Sequence, residues 1–511
     1  MRKNRWLAVA MLVALAGCGG TDSPATGAEP AGGEQGFDTD AEVSFTYGTN
    51  GGSNYDPHTA ANPGALTFLY PAYDRLINID ADGGLSPMLA TGWELTEDGS
   101  ALVLDIRDGV TFHDGAPLDA AAVAANLNRA RQLETSTLKA DLATVSEVTA
   151  EPDGTVKLAL TGPSASLPAL LADRAGMMIS PAAFSNPDLP LKPVGAGAYE
   201  VTDHQPGVSI TYERYADYWE PDAQSFQTLT ILMQLDPDAR LRALQTCSTD
   251  ATSLEAPQIE ETGADFTVEA ETRTAIANIY LNKSDPLLAK PEVRRALSLG
   301  IDREGISEAL HNGSCAPSSQ PFPEGYFAHN PDLETDAYDP EAARALLADA
   351  DAASLSIDAI VVNVPFFVSQ AEAVQAQLRE IGVEMNLTPV EPAQLLNRFA
   401  IEKSADAYFT YWPGAVDPAK TVASLYLGKS LLNPGGYSNP EVEQLAVAAL
   451  EETDQAARGA IYQDLAAAVA EDTFHLTICH PQTVYGVTAG IEGLRPNLAN
   501  AFDFRGVGKT Q

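Results

Sequence analysis

The sequence predicts a protein of two lobes with mixed α/β structure, and three features of the chain support this prediction. A chain of 511 residues is too long for one hydrophobic core, since single cores stop growing at about 250–300 residues. The first half favours period-two strands, as in residues 101–107, where Leu102, Leu104 and Ile106 share one face. The second half alternates strands with longer helices, which is typical of an α/β lobe with covered sheet faces. We expect a ligand in the cleft between the lobes.

The amino terminus has the pattern of a secretory signal. Basic residues precede an apolar stretch over residues 6–16, which is too short to span a hydrocarbon core of about 30 Å. The stretch ends in Leu15-Ala16-Gly17-Cys18, which resembles the lipobox of bacterial lipoproteins. The sequence therefore predicts a signal peptide over residues 1–17 and acylation of Cys18 by palmitate or a similar chain. The alternative is an ordinary secretory signal that happens to contain a cysteine.

Residues 18–36 are predicted to be the lipidated cysteine and a flexible tether. Residues 19–36 hold six glycines and two prolines and show no apolar periodicity. Such a segment reaches roughly 25 Å. The folded part begins near Phe37, and we expect it on the outer side of the cytoplasmic membrane, in the periplasm or at the cell surface.

The charge argues against a nucleic-acid partner, and the cysteine count limits the number of disulfides. With 70 acidic against 30 basic side chains, the formal charge is −40, whereas a nucleic-acid partner requires a stripe of Lys and Arg. Cleavage of the signal leaves Cys247, Cys315 and Cys479 besides the acylated Cys18. They allow at most one disulfide among themselves in an oxidising compartment. The pairing stays open, with a slight preference for Cys247 and Cys315 because both follow polar, turn-like stretches.

Local patterns predict the individual elements in chain order. Asp108-Gly109 is a hairpin turn between strand 101–107 and a returning strand at 110–112. A helix follows over residues 119–131. The remaining predicted strands are 208–212, 229–233, 276–281 and 360–364, and the remaining predicted helices are 291–300, 340–350, 369–381 and 440–452.

Motifs for cofactor binding, metal binding or catalysis are incomplete. Gly195-Ala196-Gly197 begins like a dinucleotide fingerprint, but Glu200 replaces the third glycine, so we expect a turn where two backbone segments pass closely. The seven histidines show no paired metal-ligand spacing, and Gly-x-Ser-x-Gly is absent. The sequence therefore predicts no cofactor, no metal and no enzymatic activity. An extracellular hydrolase is the remote alternative.

A series of short blocks gives the chain a family resemblance over nearly all of residues 40–495. The blocks are 69–76, 85–94, 106–115, 193–199, Tyr218-Trp219, 238–244, 294–297, 301–303 and 436–441. In this order they resemble the family 5 extracellular solute-binding proteins of ABC importers, the peptide- and nickel-binding group.

The resemblance implies a type II periplasmic-binding-protein-like, or flytrap, fold with an extra α+β subdomain in lobe I. By analogy, lobe Ia comprises residues 37–58, 196–270 and 485–511. Lobe Ib comprises residues 59–195, and lobe II comprises residues 271–484.

The implied function is capture of a peptide or a peptide-sized organic solute by hinge closure. The protein, expected to be a monomer, would deliver the solute to ABC permease subunits that work with a cytoplasmic ATPase. The alternative is a non-peptide solute of the same importer type, such as an oligosaccharide, an opine or a siderophore.

Residues 408–418 are the most informative segment for the ligand. In peptide-binding members, an aspartate three residues after the tryptophan pairs with the peptide's α-ammonium, and this position is Ala415 here. Nickel-binding members have a histidine one residue after the proline, and this position is Ala419 here. We therefore disfavour nickel and expect a ligand whose ammonium is not held by an aspartate at position 415.

The candidate ligand-binding residues are polar and aromatic side chains, of which the resemblance places Asn54 and those of residues 408–418 at the cleft. For each one, core packing or turn formation is the alternative interpretation. They are Asn54, Phe322, Phe366, Phe367, Tyr411, Trp412, Asp417 and His480.

Overall fold

The computed structural model describes residues 36–49, 51, 54–60, 63–80, 83–96 and 98–510. The predicted signal peptide, Cys18 and the tether up to residue 35 lie outside the described residues. Within the part that is described, no helix has both the length and the apolar character needed to cross a membrane.

The strands are numbered in chain order. They are β1 (Glu42–Tyr47), β2 (Ile77–Ile79), β3 (Leu85–Pro87), β4 (Ala90–Leu95), β5 (Ala101–Ile106), β6 (Val145–Ala150), β7 (Thr155–Leu160), β8 (Tyr199–Gln205), β9 (Ser209–Arg214), β10 (Thr228–Met233), β11 (Ala251–Leu254), β12 (Thr267–Thr272), β13 (Ile276–Leu281), β14 (Cys315–Pro317), β15 (Ser356–Val362), β16 (Glu384–Val390), β17 (Ala407–Trp412), β18 (Leu476–Val487), β19 (Ile491–Glu492), β20 (Arg495–Pro496), β21 (Phe502–Asp503) and β22 (Gly508–Lys509).

The α-helices are numbered in the same way. They are α1 (Leu66–Leu69), α2 (Ala120–Gln132), α3 (Leu167–Leu170), α4 (Pro237–Gln245), α5 (Pro291–Leu299), α6 (Arg303–His311), α7 (Pro340–Asp349), α8 (Pro365–Glu380), α9 (Pro392–Leu396), α10 (Pro418–Leu425), α11 (Pro440–Glu451) and α12 (Gln455–Glu471).

One large sheet extends through both halves of the molecule. Its order is β16-β15-β17-β13-β18-β11-β1-β10-β9-β8, and β12 and β14 also pair with β18. We call the half with β1 and β8–β12 lobe I and the half with β13–β17 lobe II. Parallel pairs occur in both lobes, where β1 lies beside β10 and β11, and β15 lies beside β16 and β17.

Strand β18 connects the two lobes without interruption. Its first residues pair with β13, as in Leu476 opposite Ile279. Its last residues pair with β11 and β12, and Val487 lies opposite both Ala251 and Thr267. The chain passes between the lobes a second time in the short segment between β12 and β13. The two lobes are therefore joined through these two extended segments.

A separate four-stranded antiparallel sheet, β4-β5-β7-β6, forms an extra α+β subdomain with helix α2. Leu102 and Leu104 of β5 are fully buried, as their alternation predicts. The Asp119 side chain accepts a hydrogen bond from the Ala122 N–H at 2.9 Å and caps α2, and Val123 and Leu127 of this helix are buried. The predicted helix over residues 119–131 is confirmed to within one residue at each end.

The predicted hairpin at Asp108-Gly109 is wrong. Strand β5 pairs with β4 and β7 instead of with residues 110–112. The Phe112 N–H donates to the Ala116 carbonyl at 2.8 Å, and the Leu118 N–H donates to the Val110 carbonyl at 2.9 Å, so this segment forms its own turn. Alternation shows that a segment is extended but does not show which strand is its partner.

The predicted strands and helices of lobe II are confirmed, with shifts at some ends. Strand β13 has the predicted bounds, whereas α8 starts at Pro365 rather than at residue 369. A proline at the first helical position suits a helix start, because its missing N–H would have no partner within the helix. The strand before it accordingly ends at Val362.

The preferred disulfide between Cys247 and Cys315 is wrong, since Cys315 pairs with Cys479 across a Cα–Cα distance of 5.5 Å. Strand β14 lies antiparallel to β18, which brings these two side chains together. His311 lies beside the same two sulfur atoms, but they are joined to each other. Polar, turn-like flanks do not report which strands are neighbours in the sheet.

The glycines at residues 195 and 197 mark a close backbone approach, as predicted. A Cβ atom on Gly195 would lie 2.0 Å from the carbonyl oxygen of Ala72, and one on Gly197 would lie 2.4 Å from the carbonyl carbon of the same residue. The Gly197 N–H donates to the Ala72 carbonyl at 3.0 Å. Any side chain here would force the two segments apart.

Candidate ligand-binding site between the lobes

A cavity of about 600 Å³ lies between the α+β subdomain and lobe II, beside the carboxyl end of β17. We call it the interlobe cavity. Most of its wall is apolar, with leucines from both sides. The subdomain side supplies Leu167 and Leu170, and the lobe II side supplies Leu396, Leu431, Leu432 and Leu450.

The topology of lobe II explains why the cavity lies at this edge. Strands β15 and β17 run parallel, with Ala359 opposite Ala407 and Val361 opposite Phe409, so their carboxyl ends meet at one edge of the sheet. In open α/β sheets, ligands bind outside the carboxyl ends of the strands. Here β17 leads into the segment 413–417 and then into α10.

Trp412, the last residue of β17, lines the interlobe cavity. Its indole N–H donates to the Thr421 hydroxyl of α10 at 3.1 Å, which fixes the ring against the cavity wall. The side chain is partly buried. A fixed, partly exposed indole offers a flat apolar surface to a ligand at little cost in side-chain entropy.

The segment 413–417 is attached to the short connection between β12 and β13, which joins the two lobes. The Ala415 N–H donates to the Thr274 hydroxyl at 3.0 Å, and that hydroxyl lies 2.7 Å from the Leu498 carbonyl. Gly414 has a φ of +93°, and a Cβ atom there would lie 2.5 Å from the Thr274 hydroxyl oxygen. Position 415 is accordingly 6% exposed and lies against Thr274 in the connection between β12 and β13.

Asp417 lies at the wall of the interlobe cavity, but Arg458 neutralises its charge. Its two carboxylate oxygens each accept a 2.7 Å hydrogen bond from Arg458, and the residue is 2% exposed. One of these oxygens also accepts from the Ala419 N–H at 2.9 Å and caps α10. The geometry thus gives Asp417 a positioning role, since it fixes the helix that borders the cavity.

Tyr411, Phe366 and Phe367 form an aromatic group on the opposite face of β17. The ring of Tyr411 lies 4.8 Å from that of Phe367 and 6.1 Å from that of Phe366. Burial raises the pKa of the Tyr411 hydroxyl, with a smaller contribution from Glu255 of lobe I. Within the described residues this hydroxyl makes no hydrogen bond. These three candidates lie together near the junction of the lobes, apart from the interlobe cavity.

Phe322 and His480 are core residues of lobe II. The Phe322 ring is 2% exposed and packs 5.9 Å from the ring of Tyr462. The His480 nitrogens lie 3.0 Å and 3.2 Å from the carbonyl oxygens of Ala275 and Gln320. Neither side chain belongs to the described wall of the interlobe cavity.

Asn54 lies in lobe I, in the loop after β1. Its amide group donates to the Thr59 hydroxyl at 2.9 Å and accepts from the Asp56 N–H at 3.0 Å. Asp56 is in turn bound to Arg129 of α2 at 2.6 Å. Asn54 therefore orders this loop against the subdomain and is not among the described residues of the cavity wall.

Two charged cavity residues were not predicted from the sequence. Lys420 of α10 and Asp141 of the subdomain both line the cavity, and the Lys420 ammonium lies 2.9 Å from the Asp141 carboxylate. Lys420 directly follows Ala419, a position already compared with the nickel-binding members, so closer attention to α10 could have found it. No sequence pattern around Asp141 indicates its role, because only the fold brings it to the cavity.

The subdomain and lobe II make further contacts besides this ion pair. The Ala165 N–H donates to the Leu450 carbonyl at 3.1 Å, a backbone contact across the cleft. The Gln455 amide lies 3.4 Å from the Gly83 carbonyl oxygen. The subdomain and lobe II are therefore in direct contact beside the interlobe cavity.

Comparison with known proteins establishes the family. The profile of the bacterial extracellular solute-binding proteins, family 5, matches residues 84–432. This chain belongs to that family. It is 26% identical over 429 residues to the glutathione-binding protein GsiB of Pectobacterium atrosepticum, with 81% of this chain and 83% of GsiB covered.

Solved structures confirm the predicted two-lobed fold class. Helicobacter pylori DppA, a periplasmic binding protein in complex with the peptide STSA, has a TM-score of 0.78 at 20% identity and covers 94% of this chain and 99% of its own. AgaA from A. tumefaciens R10, in complex with agropinic acid, has a TM-score of 0.76 at 22% identity and covers 92% and 99%. Members of this family capture solutes for ABC importers, so the predicted importer role is confirmed as well.

We predict that separating Asp417 from Arg458 destabilises the protein strongly. Asp417→Asn or Arg458→Met alone leaves a buried charge unpaired, so each should lower the free energy of unfolding by about 3–5 kcal/mol. The double variant leaves no unpaired charge and should recover much of this loss. Urea unfolding followed by circular dichroism measures the three values.

Asp108→Asn, in an exposed turn of the subdomain, is the control and should change the free energy by less than about 0.5 kcal/mol. A double variant that loses as much as the two single variants together would contradict the account.

A second prediction concerns acid stability. Burial lowers the pKa of His480 to about 4, against the opposing effect of its two carbonyl neighbours. The unfolded chain, with a histidine pKa of about 6.5, therefore binds this proton more readily between pH 6.5 and 4. Stability should fall as the pH drops through this window, by up to about 1.4 kcal/mol per pH unit for this residue.

His480→Gln removes this proton uptake and should make the decline between pH 6.5 and 4 shallower. His58, His113 and His311 also have pKa values lowered to about 4 by burial, so part of the decline should remain. Urea unfolding of both proteins across this range measures the two slopes, and equal slopes would exclude the assigned role of His480.

Proposed function

We propose that the solute captured by this protein is a peptide or a peptide-sized organic molecule with a large apolar part. The observation that carries this proposal is the wall of the interlobe cavity, which combines leucines and Trp412 with one ion pair. Its volume of about 600 Å³ lies in the usual range of small-molecule sites. Glutathione, dipeptides and short peptides, named for its relatives, are of this size class.

A non-peptide solute is the second candidate. The agropinic acid bound by AgaA supports it, because that structure shares this fold. Both candidates share polar groups joined to a larger carbon skeleton, so a binding screen should include peptides and opines together.

Closure of the two lobes is the proposed mechanism of capture. A solute in the cavity contacts both walls only when the cleft is closed, so binding shifts the population toward the closed form. Strand β18 and the segment between β12 and β13 are the proposed hinges. The predicted lobe boundaries after residues 58, 195, 270 and 484 are all part of this proposal. Those after residues 270 and 484 are supported by lying in or next to the proposed hinges.

We further propose that the protein works as a monomer and leaves its solute chemically unchanged. The proposal rests on the family, whose members are solute-binding proteins. An extracellular hydrolase would instead release fragments of the bound molecule.

Attachment to the membrane is proposed from the sequence alone. Cleavage after Gly17 would leave Cys18 as an acylated first residue, with the tether between the lipid and the folded part. We predict that an alkyne analogue of palmitate labels the protein in bacteria and that Cys18→Ser abolishes the label and releases the protein from the membrane fraction. Equal labelling of both forms would exclude Cys18 as the attachment site.

We predict that protein purified without denaturation retains a small solute whose mass is visible by native mass spectrometry. Trp412→Ala removes an aromatic surface from the cavity and should weaken retention by about tenfold. Trp93→Ala, in β4 of the subdomain and outside the described cavity wall, is the matched control and should retain the wild-type amount.

The retained solute should have the same mass after prolonged incubation with the protein. Accumulation of fragments would favour a hydrolase, and failure to retain any solute from a cell extract would argue against capture.

A further inference from the structure

We propose that Lys420 and Asp141 bind the two charged ends of a zwitterionic solute, with Lys420 receiving a carboxylate and Asp141 an ammonium group. This inference rests on the proposed function, since it assigns contacts within the same interlobe cavity. It makes the two residues determinants of specificity for solutes that carry both charges.

The geometry places one charge on each side of the cleft. Asp141 lies in the subdomain, Lys420 lies in lobe II, and their charged atoms are 2.9 Å apart. Their side chains are 19% and 34% exposed, so both remain accessible from the cavity although they are paired. A solute between the walls that displaces this contact would have one group of each charge available, one from each wall.

The charge balance of the cavity favours a zwitterion. The charged residues of its described wall are Asp141, Asp417 and Lys420, and Asp417 is neutralised by Arg458. When a zwitterion binds, its carboxylate would pair with Lys420 and its ammonium group with Asp141, in place of the Lys420–Asp141 ion pair. Every charge would then have a partner. A solute with one charge would leave either the lysine or the aspartate unpaired in a partly desolvated site, which is costly.

The position of Lys420 has no explanation in helix stability. Lys420 is the third residue of α10, where the positive end of the helix dipole disfavours a cation. The protein as a whole has 30 basic side chains against 70 acidic ones. A lysine placed against the dipole is therefore explained by its partner across the cavity, Asp141, and not by the helix.

Asp141 also supplies a charge that the segment after β17 lacks. Position 415 is an alanine that lies against Thr274, so no carboxylate is available there for an ammonium group. Asp141 presents a carboxylate from the opposite wall of the same cavity. A free ammonium group is thus compatible with this site through a different residue.

The test is a crossed comparison by isothermal titration calorimetry at pH 7. The probes are Leu-Leu and Leu-Ala-Leu with free ends, their N-acetyl forms and their C-terminal amides. The wild type should bind the free forms about tenfold to a hundredfold more tightly than either capped form, as expected for charge-assisted hydrogen bonds.

The two variants should lose different preferences. Lys420→Met should lose the preference for a free carboxylate over the amide but keep the preference for a free amine. Asp141→Asn should show the reverse. If the ion pair only holds the two walls of the cleft together, both variants would lower the affinity for every probe by the same factor. This result would overturn the proposal.

Lys429→Met and Glu147→Gln, at exposed positions of lobe II and the subdomain, are the matched controls and should bind every probe like the wild type. Thermal melting of each variant checks that it is folded. Absence of binding of both free peptides, or equal binding of free and capped forms, would also overturn the proposal. Native mass spectrometry of the same preparations separates this failure from that of the proposed function, because a retained solute would show that capture itself remains intact.

Discussion

The structure depends on one strand that belongs to two lobes at once. Strand β18 is hydrogen-bonded to β13 at its beginning and to β11 and β12 at its end, so it fixes the sheet of lobe I relative to that of lobe II. The segment 413–417 lies beside this junction and is bonded to Thr274 and Asn500. A change in the angle between the lobes must therefore move the cavity wall that this segment and α10 provide.

Local chemistry made much of the fold predictable. The bounds of β13 follow from an apolar run interrupted only by Asn278. Helices such as α7 and α11 begin at a proline preceded by a capping side chain. The choice of strand partners was not predictable in the same way. Strand β5 pairs with β4 instead of with the segment after Asp108-Gly109, and Cys315 is bonded to Cys479 instead of to Cys247. Both outcomes depend on strand order, which is decided by packing between distant parts of the chain.

The same limit applies to the candidate site. Trp412 was identified because the segment around it resembles the ligand-binding segment of the family, and Lys420 lies just beyond that segment. Asp141 is 279 residues away from Lys420 in sequence, so no local pattern could indicate their contact. Phe322 and His480 were proposed from residue type and neighbouring motifs, but aromatic and imidazole side chains serve equally well in a core, which is where the structure has them. The resemblance thus located the region, and the fold determined which side chains face the cavity.

Small-angle X-ray scattering on one preparation, first stripped of solute and then reloaded, tests the central claim most directly. Unfolding in urea, dialysis and refolding would remove the solute, and the molecule identified by mass spectrometry would be added back. If the lobes close around the solute, the radius of gyration and the maximum dimension should both fall on reloading. Identical scattering curves for the empty and the loaded protein would contradict the account, since they would show a rigid molecule without hinge motion.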